Sequence, residues 1–206
     1  MKHALILSAA AVAALSLAGC NKPAATPTDP SAQNATPVGA AVDKAQDATG
    51  AAVGATSAAT LGSHDTAAFV SNASQSDMYE IQAAQTAMAR TKNPDIKAFA
   101  KMMVADHTAT MKAMGPLAKA AGQTPADKLD QRRQGFVDNL KTASDADFDK
   151  TYVDQQVAAH EEALSLMQGY AKDGSDAGLK DGAAKTAPKV QMHLDRIKSI
   201  QASMKK

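Results

Sequence analysis

The sequence predicts an all-α protein, an antiparallel four-helix bundle with a short extra helix between the second and third long helices. Three observations predict it. From Asp65 onward apolar residues recur with the 3.6-residue period of a helix and keep it to the end of the chain. Aromatic residues make up only 3% of the chain, with no Trp, and Ala and Met are abundant, which is the thin core of packed helices and not of a β-sandwich. The periodic stretches reach ~28 residues, or ~40 Å at 1.5 Å per residue, and helices of that length bury their apolar faces side by side.

The elements follow in order. The first long helix is predicted from about Asp65 to Lys92, with Phe69, Ala73, Ile81, Ala84 and Met88 inward. Asn93-Pro94-Asp95 reads as N-cap, N1 proline and first-turn acid. The second helix runs from there to about Ala121, with Gly122 as terminator and an inward stripe of Ile96, Phe99, Ala100, Met103, His107, Met111, Met114 and Ala118. Thr124-Pro125 starts the short helix, which runs to about Lys141 and carries Leu129, Phe136, Val137 and Leu140. Its Arg132-Arg133 pair, beside Lys128, reads as a solvated face, as does Glu161-Glu162 further on. Ser144 and Asp147 form a capping box with Asp in place of Glu. The third long helix extends from there to about Lys172, with Phe148, Tyr152, Gln156, His160, Leu164, Met167 and Tyr170 or Ala171 inward, and Gly174 closes it. The last starts near Asp176, is expected to break or kink at Pro188, and carries Val190, His193, Ile197, Ile200 and Met204 on one face.

Ahead of the bundle, Lys2 and the apolar run Ala4 to Leu17 have the shape of a signal peptide over residues 1–19, too short to span a membrane. The run ends Leu17-Ala18-Gly19-Cys20, which resembles the bacterial lipobox, and Cys20 is the only cysteine in the chain. The expectation is lipid attachment at Cys20, and Asn21 in place of Asp points to the periplasmic face of the outer membrane. Residues 20–64 then form a tether. From Asn21 to His64, 30 of 44 residues are Ala, Thr, Pro, Gly or Ser, too few large apolar groups to offset chain entropy. The domain proper is residues 65–206. One cysteine excludes an intrachain disulfide or a thiolate metal cluster. A net charge of +1 gives no electrostatic reason to expect nucleic acid as a partner. Membrane contact through the lipid is expected, and an envelope protein or the cell wall is a further candidate partner; the oligomeric state is left open.

The histidines carry the most information. Of five, His107, His160 and His193 each lie on the apolar stripe of a different long helix, 13 residues after Pro94, 15 after Asp145 and 17 after Asp176. Glu80 stands 15 residues after Asp65 in the first helix. Mid-height is the one level that up and down helices share, so Glu80, His107, His160 and His193 are expected to meet in a single layer. Three imidazoles and a carboxylate suit one Zn, Cu or Fe ion. Met103, Met111, Met114 and Met192 lie close enough in sequence to add a copper(I) version, beside their ordinary use as gap-fillers. The same layer also reads as a hydrogen-bonded core network that fixes helix register.

The run Pro94-Asp95-Ile96-Lys97-Ala98-Phe99-Ala100-Lys101-Met102-Met103-Val104-Ala105-Asp106-His107 resembles the hallmark of a bacterial exported family, domain of unknown function 4142. Phe148 to Tyr152, Gln156 to His160, and Pro188 followed by His193-Leu194 fit the same pattern. The resemblance implies a ferritin-like four-helix bundle and supplies no activity. Carboxylate-bridged di-iron bundles place Glu-x-x-His on two helices. Here Val104, Val157 and Val190 stand three residues before the histidines, so the ferroxidase reading is rejected. Asp106 and Glu161, as sequence neighbours of histidines, are expected to point about 100° away from the layer. The sequence thus reads as a lipid-anchored periplasmic binding or envelope-stress accessory protein rather than an enzyme. A mononuclear metal oxidase using the same layer, and a purely structural envelope tether, are the alternatives.

Overall fold

The computed structural model describes residues 64–205. The expected signal peptide, the lipid attachment at Cys20 and the tether up to residue 63 lie outside the described residues. Five helices fill the described part: α1 Thr66–Arg90, α2 Pro94–Ala120, α3 Gln131–Thr142, α4 Asp145–Asp173 and α5 Ala177–Ser203. Each starts on a side chain that accepts from orphan backbone N–H groups: Asp65, Asn93, Asp130, Ser144 and Asp176 in turn. Among the described residues no strand occurs, and no helix is long and apolar enough to cross a membrane.

The four long helices pack as a ring in which α1 touches α2 and α4, and α5 touches α2 and α4. Three-residue links join α1 to α2 and α4 to α5, which makes each of those pairs antiparallel. Arg90, at the end of α1, donates to the Leu140 and Ala143 carbonyls (both 2.7 Å) and pairs with Asp145 (2.9 Å) at the start of α4. At the opposite end, Thr66 bonds to Tyr170 (2.8 Å) and Ser175 (2.9 Å). The connection from α2 to α4 therefore spans the full length of the bundle, and α3 lies within it, against α1 and α4. One long crossover of this kind is the ferritin-like arrangement.

Most helix boundaries agree with the sequence reading, and Gly122 ends α2 as expected. Its φ of +72° suits glycine, and Gly122 N–H and Gln123 N–H donate to the Lys119 and Ala118 carbonyls, the Schellman pattern. Three expectations are corrected. The short helix starts at Gln131 and not at Thr124-Pro125, because Asp130 supplies the cap and the preceding stretch is tied down instead. There Ser74 Oγ accepts from Ala126 N–H (2.9 Å) and Gln75 Oε1 from Asp130 N–H (2.6 Å). The last helix runs unbroken through Pro188, as α2 does through Pro116. Both prolines face solvent, and so do Ala184 and Lys112, whose carbonyls lose their donors, so water can satisfy them. Finally, Arg132, Arg133 and Glu162 are not a solvated face. Arg132 grips Glu162 through two bonds (2.8 and 2.7 Å), and Arg133, only 5% exposed, bonds Glu162 (3.0 Å) and Asp130. This cluster fastens α3 to α4. Glu161 does face outward, pairing with Lys198 at 2.7 Å.

The core falls into two apolar halves. One gathers Tyr79 to Ala87, Ile96 to Met103, Phe148 to Val153 and Leu194 to Ile200, with Val137 and Leu140 of α3. The other gathers Phe69 to Ala73, Ala118, Ala163 to Tyr170 and Leu179 to Val190, where Phe69 stacks on Tyr170 with ring centroids 3.9 Å apart. The expected inward residues Met88 and Met204 lie outside both, at 37% and 39% exposure: Ala87 takes the inward position beside Met88, and Met204 lies past the last helical residue, Ser203.

Removing Arg133 takes a buried guanidinium from the α3–α4 ion cluster, while Arg132 keeps its two bonds to Glu162. Arg133→Ala is expected to destabilise the bundle by about 1–2 kcal/mol through the lost charged hydrogen bonds and packing. Lys198→Ala, at the exposed pair with Glu161, is expected to change it by less than about 0.5 kcal/mol. Urea melts of both variants test this, and matching midpoints would show that the cluster contributes nothing.

Candidate metal centre

Between the two apolar halves lies a polar layer. Along α1 it occupies Ser76 to Glu80, between Ala73 of one half and Ala83 of the other. On α2 it is His107, on α4 Gln156 and His160, on α5 His193. The four residues singled out from sequence are all brought together there: Glu80, His160 and His193 are 1% exposed and His107 5%. The three imidazoles form a triangle with ring centroids 5.9, 5.6 and 5.6 Å apart. One ring nitrogen of each lies within 4.8 Å of those of the other two. Glu80 is buried beside this triangle but is not part of the 4.8 Å group: its Oε1 is 3.7 Å from His160 Nδ1, the ring edge turned to the Gln156 carbonyl.

Each histidine spends one nitrogen on a fixed acceptor. His107 Nδ1–H donates to Asp77 Oδ1 (2.8 Å). His160 Nδ1–H donates to the Gln156 carbonyl one turn earlier on its own helix (2.8 Å). His193 Nε2–H donates to Asp106 Oδ2 (2.9 Å). The acceptor chemistry of a carboxylate or carbonyl fixes the donor, and so it fixes the tautomer. The second nitrogen of every ring, His107 Nε2, His160 Nε2 and His193 Nδ1, is buried without a hydrogen-bond partner among the described residues. Both oxygens of Glu80 and both amide atoms of Gln156 are in the same condition. Gln156 is close enough to Glu80 to favour its ionised form, but its amide does not reach hydrogen-bonding geometry.

Asp77 and Asp106 are the residues that sequence reasoning missed. Asp77 was visible in principle: it falls four after Ala73 and three before Glu80, on the inward stripe of α1. Asp106 is not turned away from the layer as expected: the direction about 100° from His107 faces α5, which carries His193. There it bonds His193 and also meets Lys189 Nζ at 3.1 Å. The methionines stay out of the layer. Met103 packs in one apolar half and Met114 against the other, while Met111 and Met192 are 37% and 49% exposed.

Burial and charge set the protonation of the layer. Desolvation raises Glu80 from 4.5 to about 7, against the lowering effect of His107. Desolvation lowers His160 from 6.5 to about 3, with His107 and His193 adding to it, so this ring is neutral near pH 7. Asp77 is raised by burial in spite of its bond to His107. Burial opposes the charge on His107, but the bond to Asp77 and the nearby carboxylates outweigh it and hold its pKa above the ordinary value. His193 is lowered, chiefly by burial. Asp106, though partly desolvated, is lowered by its bonds to His193 and Lys189.

The ion-free protein should therefore show a definite pH dependence. Glu80 binds its proton more tightly folded than unfolded, so its contribution is full below pH 4.5 and is lost as pH rises through about 7. His160 does the reverse: its contribution is full above pH 6.5 and is lost as pH falls through about 3. With a chelator present, Glu80→Gln is expected to be more stable than the parent at about pH 8, by ~3 kcal/mol, and to lose that gain by about pH 4. Thermal melts across the range test this; a parent–variant difference that does not move with pH would refute it.

The family described as "Domain of unknown function (DUF4142)" matches residues 51–200. No curated protein and no solved structure matches the chain.

Proposed function

The chain belongs to the DUF4142 family, and we propose that its polar layer holds one transition-metal ion through Glu80, His107, His160 and His193. One observation carries this reading. Three imidazole nitrogens and a carboxylate, drawn from four helices, are buried at one level with no hydrogen-bond partner among the described residues. A completed hydrogen-bond network would leave no such set, since each buried unpaired polar atom costs about 1–3 kcal/mol. The opposite nitrogen of each ring is held by a carboxylate or a carbonyl, the support that orients a metal-bound histidine and raises its basicity. The ligating atoms would be His107 Nε2, His160 Nε2 and His193 Nδ1; Glu80, which now lies against the Nδ1 edge of His160, would become the fourth by rotating its side chain toward the three nitrogens.

Nitrogen and oxygen donors without sulfur favour Zn, Cu(II) or Fe(II) over Cu(I). Four protein ligands around a tetrahedral ion leave no open position, which favours holding the ion over catalysis with it. Ligation at ~2.0–2.1 Å sets the nitrogens about 3.3 Å apart in such a geometry, so loading draws the three rings together. We place this activity at the periplasmic face of the outer membrane, with the lipid on Cys20 as the anchor; the support for that is the Leu17-Ala18-Gly19-Cys20 sequence alone.

Elemental analysis of the purified chain, free of any histidine tag, tests the site. About one equivalent of a transition metal is expected in the parent, and none in a His107→Ala/His160→Ala/His193→Ala variant that keeps its helical circular dichroism. No metal after loading with Zn, Cu or Fe, together with a large fall in melting temperature of the variant, would make the histidines core architecture. The anchor has its own check: Cys20→Ala is expected to abolish incorporation of labelled palmitate and to release the chain from the membrane fraction. Unchanged labelling would remove Cys20 from the account.

A further inference from the structure

Side chains exposed by 1 to 5% cannot be reached by an ion from bulk water without a route. A cleft of about 50 Å³, partly open to solvent, lies between α1, α2 and the start of α5 and reaches inward as far as Asp77. Its walls are apolar, with Phe69, Ala73 and Leu179 on them and Met111 and Met114 along the α2 side. Among the described residues Asp77 is the only ionisable one that lines it. That side chain faces two ways, since it also accepts from His107 Nδ1 at 2.8 Å. A lone carboxylate among apolar walls attracts a cation more strongly than the same group in water does. Glu80 follows three residues later on the same face, a rise of ~4.5 Å along the helix. Thus α1 carries two carboxylates in succession, one lining the cleft and the next inside the layer. The cleft has room for a few waters at most, so an ion moving along it sheds part of its hydration shell to these carboxylates.

The competing way in is the seam beside His193, where the side chain of Asp106 is 24% exposed. There Lys189 Nζ lies 3.1 Å from Asp106 Oδ1, so an ammonium already stands where an arriving cation would bind.

We propose that this cleft is the route by which a divalent transition-metal ion reaches the histidine layer, with Asp77 its first carboxylate ligand and Glu80 the next. The inference rests on the metal-site reading above. Stopped-flow absorption with Co(II) and the full chain tests it, because a four-coordinate Co(II) site absorbs in the visible. Parent, Met111→Trp, Asp77→Asn and Lys189→Met are compared, with helicity checked for each. Met111 is at the exposed lip, so the larger ring narrows the mouth without entering the core.

Association is expected to slow at least about tenfold in Met111→Trp and Asp77→Asn, with one equivalent still bound at the end. Lys189→Met is expected to load at the parental rate. Parental association in both cleft variants, with any loss at Asp77→Asn confined to dissociation, would overturn the route and leave Asp77 as an orienter of His107 only. Faster loading of Lys189→Met beside unchanged cleft variants would move the route to the Asp106 seam. A parent that takes up no Co(II) would defeat the metal-site reading itself, and the route with it.

Discussion

The bundle is organised around a level at which hydrophobic packing stops. Above and below the layer, buried side chains are almost wholly apolar, and Ala at 83, 84, 87, 100 and 183 lets the helices approach closely. At the layer, each of the four long helices instead contributes a group that needs a polar partner. Apolar stripes alone tolerate a slide of one helix against another by a turn. A Glu and three histidines do not, because a slide would strand each of them among aliphatic side chains at a cost of several kcal/mol. The layer therefore fixes the register of the helices, and the two half-cores take their composition from where it lies.

The three histidines are not equivalent, and the differences come from their acceptors. His160 is held by a carbonyl of its own helix, one turn back, so its tautomer is set by local structure as soon as α4 forms. His107 and His193 depend on carboxylates from neighbouring helices, Asp77 of α1 and Asp106 of α2, and are oriented only once the bundle has closed. Asp77 is buried, whereas Asp106 is partly exposed and shared with Lys189. One carboxylate thus supports the layer from inside and the other from the rim. The bond that Asp106 makes through His193 Nε2 leaves Nδ1 without a partner among the described residues, the opposite ring edge from the other two.

Much of this could be read in the sequence. The 3.6-residue period and the caps at Asn93 and Ser144 gave four long helices whose predicted ends lie within a residue or two of those observed. Equal height placed Glu80, His107, His160 and His193 together, because that argument needs only distance along each helix and the alternation of direction. What failed needed the angle between helices. The stripe of α1 was legible, but nothing in one helix says which neighbour Asp77 meets. Asp106 was wrongly turned away from the layer, because the sequence does not show that α5 lies in the direction it takes. Arg132, Arg133 and Glu162 looked like surface because long charged side chains usually are. Their burial depends on how closely α3 lies against α4, which periodicity does not encode. The start of α3 was misplaced for a related reason: Thr124-Pro125 is a good local start signal, but side chains of α1 hold that stretch as a connection.

The closed surroundings of the layer bear on what kind of work it can do. A site that transforms an organic substrate needs the reacting groups within reach of a molecule larger than an ion. Here the nearest cleft reaches only to Asp77, and the histidines beyond it are buried between the two half-cores. Admitting a bulky substrate would require the long helices to part, exposing aromatic and aliphatic side chains that now pack on both sides. An ion needs only small rotations of side chains. On the metal-site reading, the same burial that leaves Glu80 reluctant to ionise in the ion-free state strengthens its attraction for a cation once one arrives. On that same reading, the attraction weakens as Glu80 takes up its proton, so release of an ion is coupled to acidification.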